Sequence, residues 1–216
     1  MSYYRQGAIV LAGGDSRRIG QPKTLLKLNG ETLLERVISL LKPCFSQITL
    51  VTDCGHLYEH LAVNITRDLF TGQNKNPLRG IHAGLLASTL PCQFVVACDM
   101  PFLNIDLIKY MGLAALEYDV VVPKVGPYYQ PLHAYYSRAC IKIVERQMLN
   151  RDFKITNFYS QLNIRTVGLN EITKFDPDQS SFFNVNTWDD FYRAKEKLAK
   201  KTKSGISGDL ARNLKR

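Results

Sequence analysis

The chain has 216 residues, of which 45% are hydrophobic and 22% charged, and its formal net charge is +9. These values are typical of globular proteins and exclude a disordered or collagen-like chain, and a chain of this length can bury a full core without disulfides or a structural metal. No apolar run approaches the roughly 18 residues that a membrane-spanning helix needs, and the N-terminal apolar stretch is too short for a signal peptide, so we expect a cytoplasmic protein.

The positive charge is concentrated near the C-terminus. Residues 195–216 contain eight Lys or Arg against two acidic residues, so the other 194 residues carry a net charge of only +3. No aromatic residues are interleaved with these lysines, as base stacking in a nucleic-acid interface would require. We therefore expect one domain over residues 1–198 and a flexible basic tail over residues 199–216, with neither nucleic acid nor a membrane as partner.

Short apolar or β-branched runs alternate with helix-period segments along the chain. The predicted helices are 32–41, which begins with a Thr32–Glu35 capping box, then 104–116 and 187–198. The predicted strands are 8–12, 48–52, 63–66, 94–98, 120–123 and 164–167. This alternation predicts an α/β fold: a Rossmann-like, doubly wound, mostly parallel sheet with helices on both faces, to which residues 130–136 add a strand in the opposite direction.

The first predicted strand runs directly into the segment LAGGDSRRIGQPK, residues 11–23. Gly13 and Gly14 permit backbone conformations in which consecutive amides form an anion-binding nest. Arg17, Arg18 and Lys23 add three cations within seven positions, for which a polyphosphate is the natural counter-charge. The segment matches neither the Walker A nor the G-x-G-x-x-G pattern, and the alternative is an ordinary basic loop between strand and helix.

Asp99 follows the buried strand 94–98, and Pro101 ends that strand. In a parallel sheet, ligands bind outside the carboxyl ends of the strands, so Asp99 is expected at the edge of a cleft opposite the glycine-rich loop. Mg²⁺ prefers one or two carboxylates together with substrate phosphate oxygens. The sequence therefore predicts Asp99 as a magnesium ligand; the alternative is a helix cap, although Asn104 is better placed for that.

Six segments occur in this order along the chain: LAGGDSRRIGQPKTLL, LNGETLL, NPLRGIHAGL, CDMPFL, QPLHAYY and FFNVNT. Together they resemble the molybdenum cofactor guanylyltransferases, which belong to the nucleotidyltransferase group with an L-A-G-G-x-S-x-R-M-G-x-x-K loop. The opening loop identifies only the broad group, whereas Q-P-L and N-V-N-T favour the molybdopterin branch. The match is colinear from about residue 8 to residue 192.

The resemblance implies a reaction in which GTP and molybdopterin, or its metal-loaded form, give the guanine dinucleotide cofactor and pyrophosphate, with Mg²⁺ required. It also implies roles by position. Leu11, Ala12 and Gly13 line the nucleotide site, Lys23 contacts the phosphates, Thr52 and Asp68 contact GTP, Asp99 contacts GTP and magnesium, and Asn184 and Asn186 lie on the pterin side.

The chain departs from the family pattern at four positions, of which Ile19 in place of the methionine of R-M-G is a similar-volume apolar exchange with little expected consequence. Where the family often has Asn at the end of the second strand, this chain has Thr52 followed by Asp53. The G-P-L turn begins here with Asn76, which tolerates a left-handed backbone, so we expect the turn to survive. Arg79 is an added cation, and it is either a phosphate contact or a solvent-facing helix residue.

Joining two phosphates brings two anions together, so neutralisation of charge must supply most of the catalysis. We expect Arg18 and Lys23 to absorb charge on the β- and γ-phosphates, and we expect no general base because the incoming phosphate is already ionised. A carboxylate can accept both N–H groups on the Watson–Crick edge of guanine. Asp68 is the first choice for this role and Asp53 the second; the alternative for both is surface solvation or helix capping.

The pterin is a flat polar ring system that side-chain amides and aromatic faces recognise well. Asn184, Asn186 and Gln130 are the candidate amides, and Asn186 has the alternative of belonging to the following helix start. The candidate rings are Tyr128, Tyr129 and Tyr135, of which Tyr135 fits core packing better.

Two other functions stay open on the sequence. One is a related nucleotidyltransferase that uses CTP or another nucleotide on molybdopterin, a sugar phosphate or another phosphorylated acceptor. The other is a non-catalytic adaptor that binds GTP and cofactor and delivers the cofactor. Molybdoenzymes or their chaperones are the expected protein partners.

Overall fold

A mostly parallel sheet forms the centre of the protein. The computed structural model describes residues 5–13, 19–68 and 76–213, with the backbone alone for residues 201–213. The strands are β1 (Gln6–Leu11), β2 (Lys27–Leu28), β3 (Glu31–Thr32), β4 (Ile48–Val51), β5 (Asn64–Thr66), β6 (Cys92–Ala97), β7 (Val120–Val125), β8 (Tyr128–Tyr129), β9 (His133–Ser137) and β10 (Ile164–Val167). The helices are α1 (Leu33–Leu41), α2 (Pro77–Ala87), α3 (Ile105–Ala114), α4 (Cys140–Leu149), α5 (Leu169–Ile172) and α6 (Trp188–Asn213).

The sheet order is β10-β7-β9-β6-β1-β4-β5. Strands β5, β4, β1 and β6 pair in parallel, as do β7 and β10, while β9 runs antiparallel to both of its neighbours β6 and β7. The predicted α/β class and the predicted reversed strand are therefore confirmed. Because the parallel strands β4, β1 and β6 are neighbours, the segments that leave their carboxyl ends meet at one edge of the sheet.

Helices cover both faces of the sheet, as the alternation of strands and helices predicts. Ala8 and Val10 of β1 belong to a buried cluster with residues of α1 and α3. Ile9, between them, points to the opposite face and packs in a second cluster with residues of α2 and α4. This period-two alternation is what buries a strand on both sides.

Helices α2 and α4 were not among the predicted helices. In α2 the helix period is obscured by Gly80 and Gly84, both of which have low intrinsic helix propensity. Gly84 is needed for packing, because a Cβ at this position would lie 2.6 Å from Cγ2 of Ile9 on β1. The glycine that weakens the sequence signal thus lets the helix lie directly against the sheet.

The predicted helix starts are confirmed where their capping groups are visible. Thr32 and Glu35 form the reciprocal capping box of α1. Thr187 precedes α6, its Oγ1 accepts the Asp190 N–H, and Asp190 Oδ2 accepts the Thr187 N–H in return.

The backbone of α6 continues through Asn213, where the composition favoured a flexible tail from residue 199. Lysine and alanine, which dominate the turns just after residue 198, are good helix formers and do not end a helix that has already started. A domain boundary at residue 198 stays a prediction. No helix in the described part of the chain is both long enough and apolar enough to cross a bilayer.

Candidate active site

A cavity of about 460 Å³ opens where β4, β1 and β6 end. Backbone hydrogen bonds continue past the strand ends there, since the Ala12 N–H donates to the Val51 carbonyl and the Cys98 N–H to the Leu11 carbonyl. The segments that follow the strands are therefore fixed relative to one another. The wall comprises Leu11, Ala12, Gly13, Pro22, Lys23, Thr24, Val51, Thr52, Asp53, Asp68, Asn76, Pro77, Gly80, Ala97, Cys98, Asp99, Leu132, Asn184 and Asn186.

Most of the residues that the sequence singled out meet on this wall. They are Leu11, Ala12, Gly13, Lys23, Thr52, Asp53, Asp68, Asp99, Asn184 and Asn186. Gly14, Arg17 and Arg18 lie outside the described residues, so the expected nest and the expected role of Arg18 stay predictions.

Lys23 lies at the junction of three chain segments. It begins a short 3₁₀ turn after Pro22, and its Nζ donates to Asp99 Oδ2 at 2.9 Å and to Asn186 Oδ1 at 2.6 Å. The Lys23 and Asp99 side chains are only 14% and 15% exposed, so bulk water screens this ion pair weakly. One ammonium thus links the loop after β1, the end of β6 and the start of α6.

The second carboxylate oxygen of Asp99 carries the strongest indication of a cation site. Oδ1 of Asp99 is buried and has no hydrogen-bond partner among the residues that the structure describes. A buried acceptor without a partner costs free energy, which a bound cation at the cavity wall would recover. Within the described ranges no group of three or more His, Cys, Asp or Glu side chains converges, so Asp99 is the carboxylate on which the fit to Mg²⁺ rests.

The loop before α6 is held against the end of β6. The Val185 N–H donates to the Asp99 carbonyl at 2.9 Å, which places Asn184 and Asn186 on either side of that contact. The Asn186 N–H donates to Asp190 Oδ2, while its side-chain oxygen accepts from Lys23. The backbone of Asn186 therefore belongs to the helix start and its side chain lies on the cavity wall, while its contact with the pterin stays a prediction.

Thr52, Asp53 and Asp68 lie at the other end of the cavity, beyond β4 and β5. Thr52 is buried; its N–H donates to the Thr66 carbonyl, and its Oγ1 accepts from the Cys54 N–H at 3.3 Å. Since β1 lies between β4 and β6 in the sheet, the two acids and Asp99 lie on opposite sides of the end of β1.

The first turn of α2 forms a wall that the sequence reasoning did not assign. Asn76 has φ −138° and caps the helix, its Oδ1 accepting from the Leu78 N–H at 2.8 Å, so the expected left-handed turn at this residue is wrong. The sequence signal for this helix start was an Asn suited to the N-cap followed by a Pro at the first helical position. A Cβ at Gly80 would lie 3.1 Å from Cδ2 of Leu11, so the glycine lets α2 close on the cavity floor.

Arg79 is half-buried and so does not simply face solvent, while its role as a phosphate contact stays a prediction. Its guanidinium carbon lies 5.0 Å from the ring centroid of Phe153, a cation–π distance, and Arg79 is not on the described cavity wall. The arginine therefore packs α2 against the segment that follows α4.

Gln130 was predicted as a pterin ligand, and the structure places it away from the described cavity wall. Its N–H donates to the Pro123 carbonyl, and its own carbonyl accepts from the His133 N–H. These bonds close the turn that leads the chain into β9, so the glutamine is held by this turn rather than by the cavity.

The three candidate tyrosines also lie elsewhere. Tyr128 is 73% exposed, and Tyr129 meets Tyr159 edge-on with a centroid distance of 5.4 Å. Tyr135 is buried, and its hydroxyl donates to the Ile108 carbonyl, which matches the core alternative. None of the three is part of the wall that the described residues form.

Two buried titratable groups near the cavity are held neutral. Burial raises the pKa of the Cys98 thiol to about 12, with a further contribution from the neighbouring Asp99 carboxylate. Burial lowers the pKa of His133 to about 3, and this ring lies edge-on between Phe94 and Phe182. At neutral pH the thiol is therefore no nucleophile and the imidazole carries no charge.

Known proteins of the same kind cover nearly the whole chain. A family model described as the MobA-like NTP transferase domain matches residues 8–164. A probable molybdenum cofactor guanylyltransferase from Pelotomaculum thermopropionicum is 35% identical over 91% of this chain and 95% of its own length. The molybdenum cofactor guanylyltransferase from Desulfosudis oleivorans is also 35% identical, over 86% of this chain and 92% of its own.

A solved structure agrees with these matches. The crystal structure of molybdopterin-guanine dinucleotide biosynthesis protein A from Archaeoglobus fulgidus superposes with a TM-score of 0.78 and 32% identity, covering 90% of this chain and 99% of that one. The fold, the order of the site segments and these similarities agree. The chain belongs to the MobA-like NTP transferase domain family and, within it, to the molybdenum cofactor guanylyltransferases.

Proposed function

We propose that this protein transfers GMP from GTP to the phosphate of molybdopterin or of its metal-loaded form, which gives the guanine dinucleotide cofactor and pyrophosphate. Family membership supports the reaction class. The observation that carries the proposal is the position of the Lys23 ammonium, which contacts both Asp99 and Asn186 within one cavity. These three groups, a cation, a carboxylate and an amide, can bind and neutralise two phosphates where they are joined.

The cavity divides into three parts that suit three parts of the reactants. The acids Asp53 and Asp68 lie beyond β4 and β5, and we assign the base to that end. The backbone of Leu11, Ala12 and Gly13 lies at the centre, and we assign the triphosphate to it. The amides Asn184 and Asn186 lie beside the end of β6, and we assign the pterin to them.

Lys23 has the charge that the chemistry at the centre requires. The α-phosphorus is attacked by an oxygen of the acceptor phosphate, and the bond from this phosphorus to the pyrophosphate oxygen breaks. Negative charge then grows on the leaving pyrophosphate, and a partly buried ammonium stabilises that charge strongly. To do so, Lys23 must exchange at least part of its contact with Asp99 for the phosphate oxygens.

Asp99 would hold the magnesium ion that we propose for the reaction, through the carboxylate whose Oδ1 lacks a hydrogen-bond partner among the described residues. When bound, Mg²⁺ supplies positive charge next to the reacting phosphates. With its thiol protonated, the adjacent Cys98 adds no negative charge beside this carboxylate.

Guanine is the base that we propose at the acidic end. Its Watson–Crick edge carries two adjacent N–H donors, and one carboxylate can accept both. We keep Asp68 as the first choice and Asp53 as the second, because both lie on the cavity wall. Cytosine has only one exocyclic donor on that edge and gains less from a carboxylate.

Purified protein incubated with molybdopterin and each nucleoside triphosphate in turn tests the proposal through release of pyrophosphate. We expect release with GTP and only traces with ATP, CTP or UTP. Release with CTP but not GTP would contradict the assigned base, and release with a sugar phosphate in place of molybdopterin would contradict the assigned acceptor. The variant Asp99→Asn distinguishes an enzyme from an adaptor. An enzyme should show turnover that this substitution abolishes, whereas an adaptor would bind GTP without turnover in both the wild-type protein and the variant.

We also propose that the protein works in the cytoplasm and passes its product to molybdoenzymes or their chaperones. Subcellular fractionation and capture on the purified protein with product bound would test these two points.

A further inference from the structure

The segment that carries Asn184 and Asn186 has little regular structure of its own. We call residues 175–186 the amide segment; apart from the 3₁₀ turn Ser180–Phe182 it contains no helix or strand. Side chains at the cavity wall must be held closely if they are to orient a ligand, so the contacts that fix this segment bear directly on binding.

Part of the support comes from within the segment. Asp176 is 4% exposed, and its two carboxylate oxygens accept the N–H groups of Ser180 at 3.1 Å and Ser181 at 2.8 Å. These bonds fix the turn, but they do not fix its position relative to the rest of the protein.

Asn104 supplies external support at two points. Its side-chain Nδ2 donates to the Phe175 carbonyl at 2.7 Å, and its backbone N–H donates to Ser181 Oγ at 2.9 Å. Its Oδ1 meanwhile accepts the Leu107 N–H and caps α3. One asparagine therefore binds the amide segment at two points and anchors it to a helix.

The same stretch of chain that holds the amide segment also carries Asp99. Asn104 is five positions after Asp99, and the Val185 N–H donates to the Asp99 carbonyl. The end of β6 and the start of α3 thus form one edge along which the amide segment is attached.

We infer that Asn104 is a positioning residue for the acceptor, holding the amide segment so that Asn184 and Asn186 face the incoming pterin phosphate. The inference rests on the proposed function and adds to it a residue that is not on the described cavity wall. It predicts a selective effect, because the hydrogen bonds described for the side chain and N–H of Asn104 go to Phe175, Ser181 and Leu107 and not to the wall around Thr52, Asp53 and Asp68.

The variant Asn104→Asp tests the positioning role of Asn104 while preserving its role as the cap of α3. A carboxylate caps a helix as well as an amide does, but it loses the Nδ2 donor and sets an acceptor against the Phe175 carbonyl. We expect KM for molybdopterin to rise about tenfold and KM for GTP to change less than about twofold. The measurement is steady-state turnover with each substrate varied in turn, together with calorimetric titration of GTP.

Ser181→Ala is the second variant, and it reaches the same contact from the other side. It removes the oxygen that accepts the Asn104 N–H and leaves the cap of α3 intact, so it should also raise KM for molybdopterin selectively. Tyr110→Phe is the matched control on α3: it removes the hydrogen bond to Glu171, keeps the ring that packs on Phe175, and should leave both KM values unchanged.

The outcomes distinguish this inference from the proposed function. Wild-type protein that makes no guanine dinucleotide would contradict the proposed function. Active wild-type protein with KM for molybdopterin unchanged in both Asn104→Asp and Ser181→Ala, or with both KM values raised together, would overturn the positioning role.

Discussion

Lys23 and Asp99 are 76 positions apart in the chain and form a partly buried ion pair of 2.9 Å across the cavity. The pair exists because β1 and β6 are parallel neighbours, so that the loop after one strand and the first residues after the other meet at the same edge. In this arrangement Lys23 lies beside the group that we propose as the metal ligand. Substrate must therefore compete with a protein contact for the same charges.

Asp99→Asn should abolish turnover almost completely. The change removes the carboxylate charge while keeping the shape of the side chain, and we expect kcat to fall by a factor on the order of 10³. Pyrophosphate release measures the loss. Calorimetric titration of GTP with and without Mg²⁺ provides a second readout, because the gain in GTP affinity on adding Mg²⁺ should disappear.

Glu117→Gln removes one exposed carboxylate in the turn after α3 and is the control for net charge. Full activity of this control together with normal Mg²⁺-dependent GTP binding by Asp99→Asn would show that the metal is held elsewhere.

Lys23→Gln should lower kcat by roughly 10²-fold or more, because an amide cannot neutralise the developing charge on pyrophosphate. Steady-state turnover of GTP and molybdopterin measures it. Lys27→Gln changes an exposed lysine on β2 and should have no more than a small effect. Equal losses in the two variants would mean that overall positive charge, rather than the contact with Asp99 and Asn186, matters.

Asp68→Asn should weaken the preference for guanine. An Asn side chain offers one acceptor and one donor on the same edge, so it cannot accept both N–H groups of the base. We expect kcat/KM with GTP to fall about 10- to 100-fold, and the fall with ITP, which lacks the exocyclic amine, to be smaller. Asp53→Asn is the comparison: a selective loss in that variant instead would move the base contact to Asp53.

His133 should make folding sensitive to acid. The pKa of His133 is about 3 in the folded protein and about 6.5 when the residue is exposed. Between these two pH values the unfolded chain therefore binds a proton at His133 that the native state does not bind. The contribution of His133 to stability is complete above pH 6.5 and falls by about 1.4 kcal/mol for each pH unit between about 6.5 and about 3.

Urea unfolding of wild-type protein and His133→Phe from pH 7.5 to 4.5 measures this effect. The stability difference between the two proteins should change in favour of the variant as the pH falls. Parallel stability curves would show that the folded protein accepts a proton at His133 as readily as the unfolded chain does.

Gly84→Ala should destabilise the fold by about 1 to 3 kcal/mol, because the new methyl group would meet Ile9 at 2.6 Å. Thermal unfolding measures the loss. Adding Ile9→Ala makes room for the methyl group, so the double variant should be more stable than the sum of the two single changes predicts. Strict additivity would contradict direct contact between the two side chains.

The sequence predicted the strands best where burial on both faces leaves a continuous apolar run, as in residues 94–98. The capping box of Thr32 and Glu35 was readable because its two partners are three positions apart. Helix α2 was not predicted because Gly80 and Gly84 have low helix propensity. These glycines allow close packing against Leu11 and Ile9, which only the folded chain shows.

The site was predicted in part for a similar reason. The end of each parallel strand marks Thr52 and Asp99 without knowledge of their partners. Lys23 and Asn186 are 163 positions apart in the chain, so no local sequence pattern predicts their contact. Gln130 is not on the described wall because its backbone closes the turn before β9, where Leu132 lies on the wall instead. Asn104 was read only as a helix cap.

The most direct test of the account is a competition between nucleotides for one acceptor. Wild-type protein with molybdopterin, Mg²⁺ and equal amounts of GTP, ATP, CTP and UTP should yield the guanine dinucleotide as the dominant product by mass spectrometry, and Asp99→Asn should yield almost none. A dominant product with another base, or a full yield from Asp99→Asn, would contradict it.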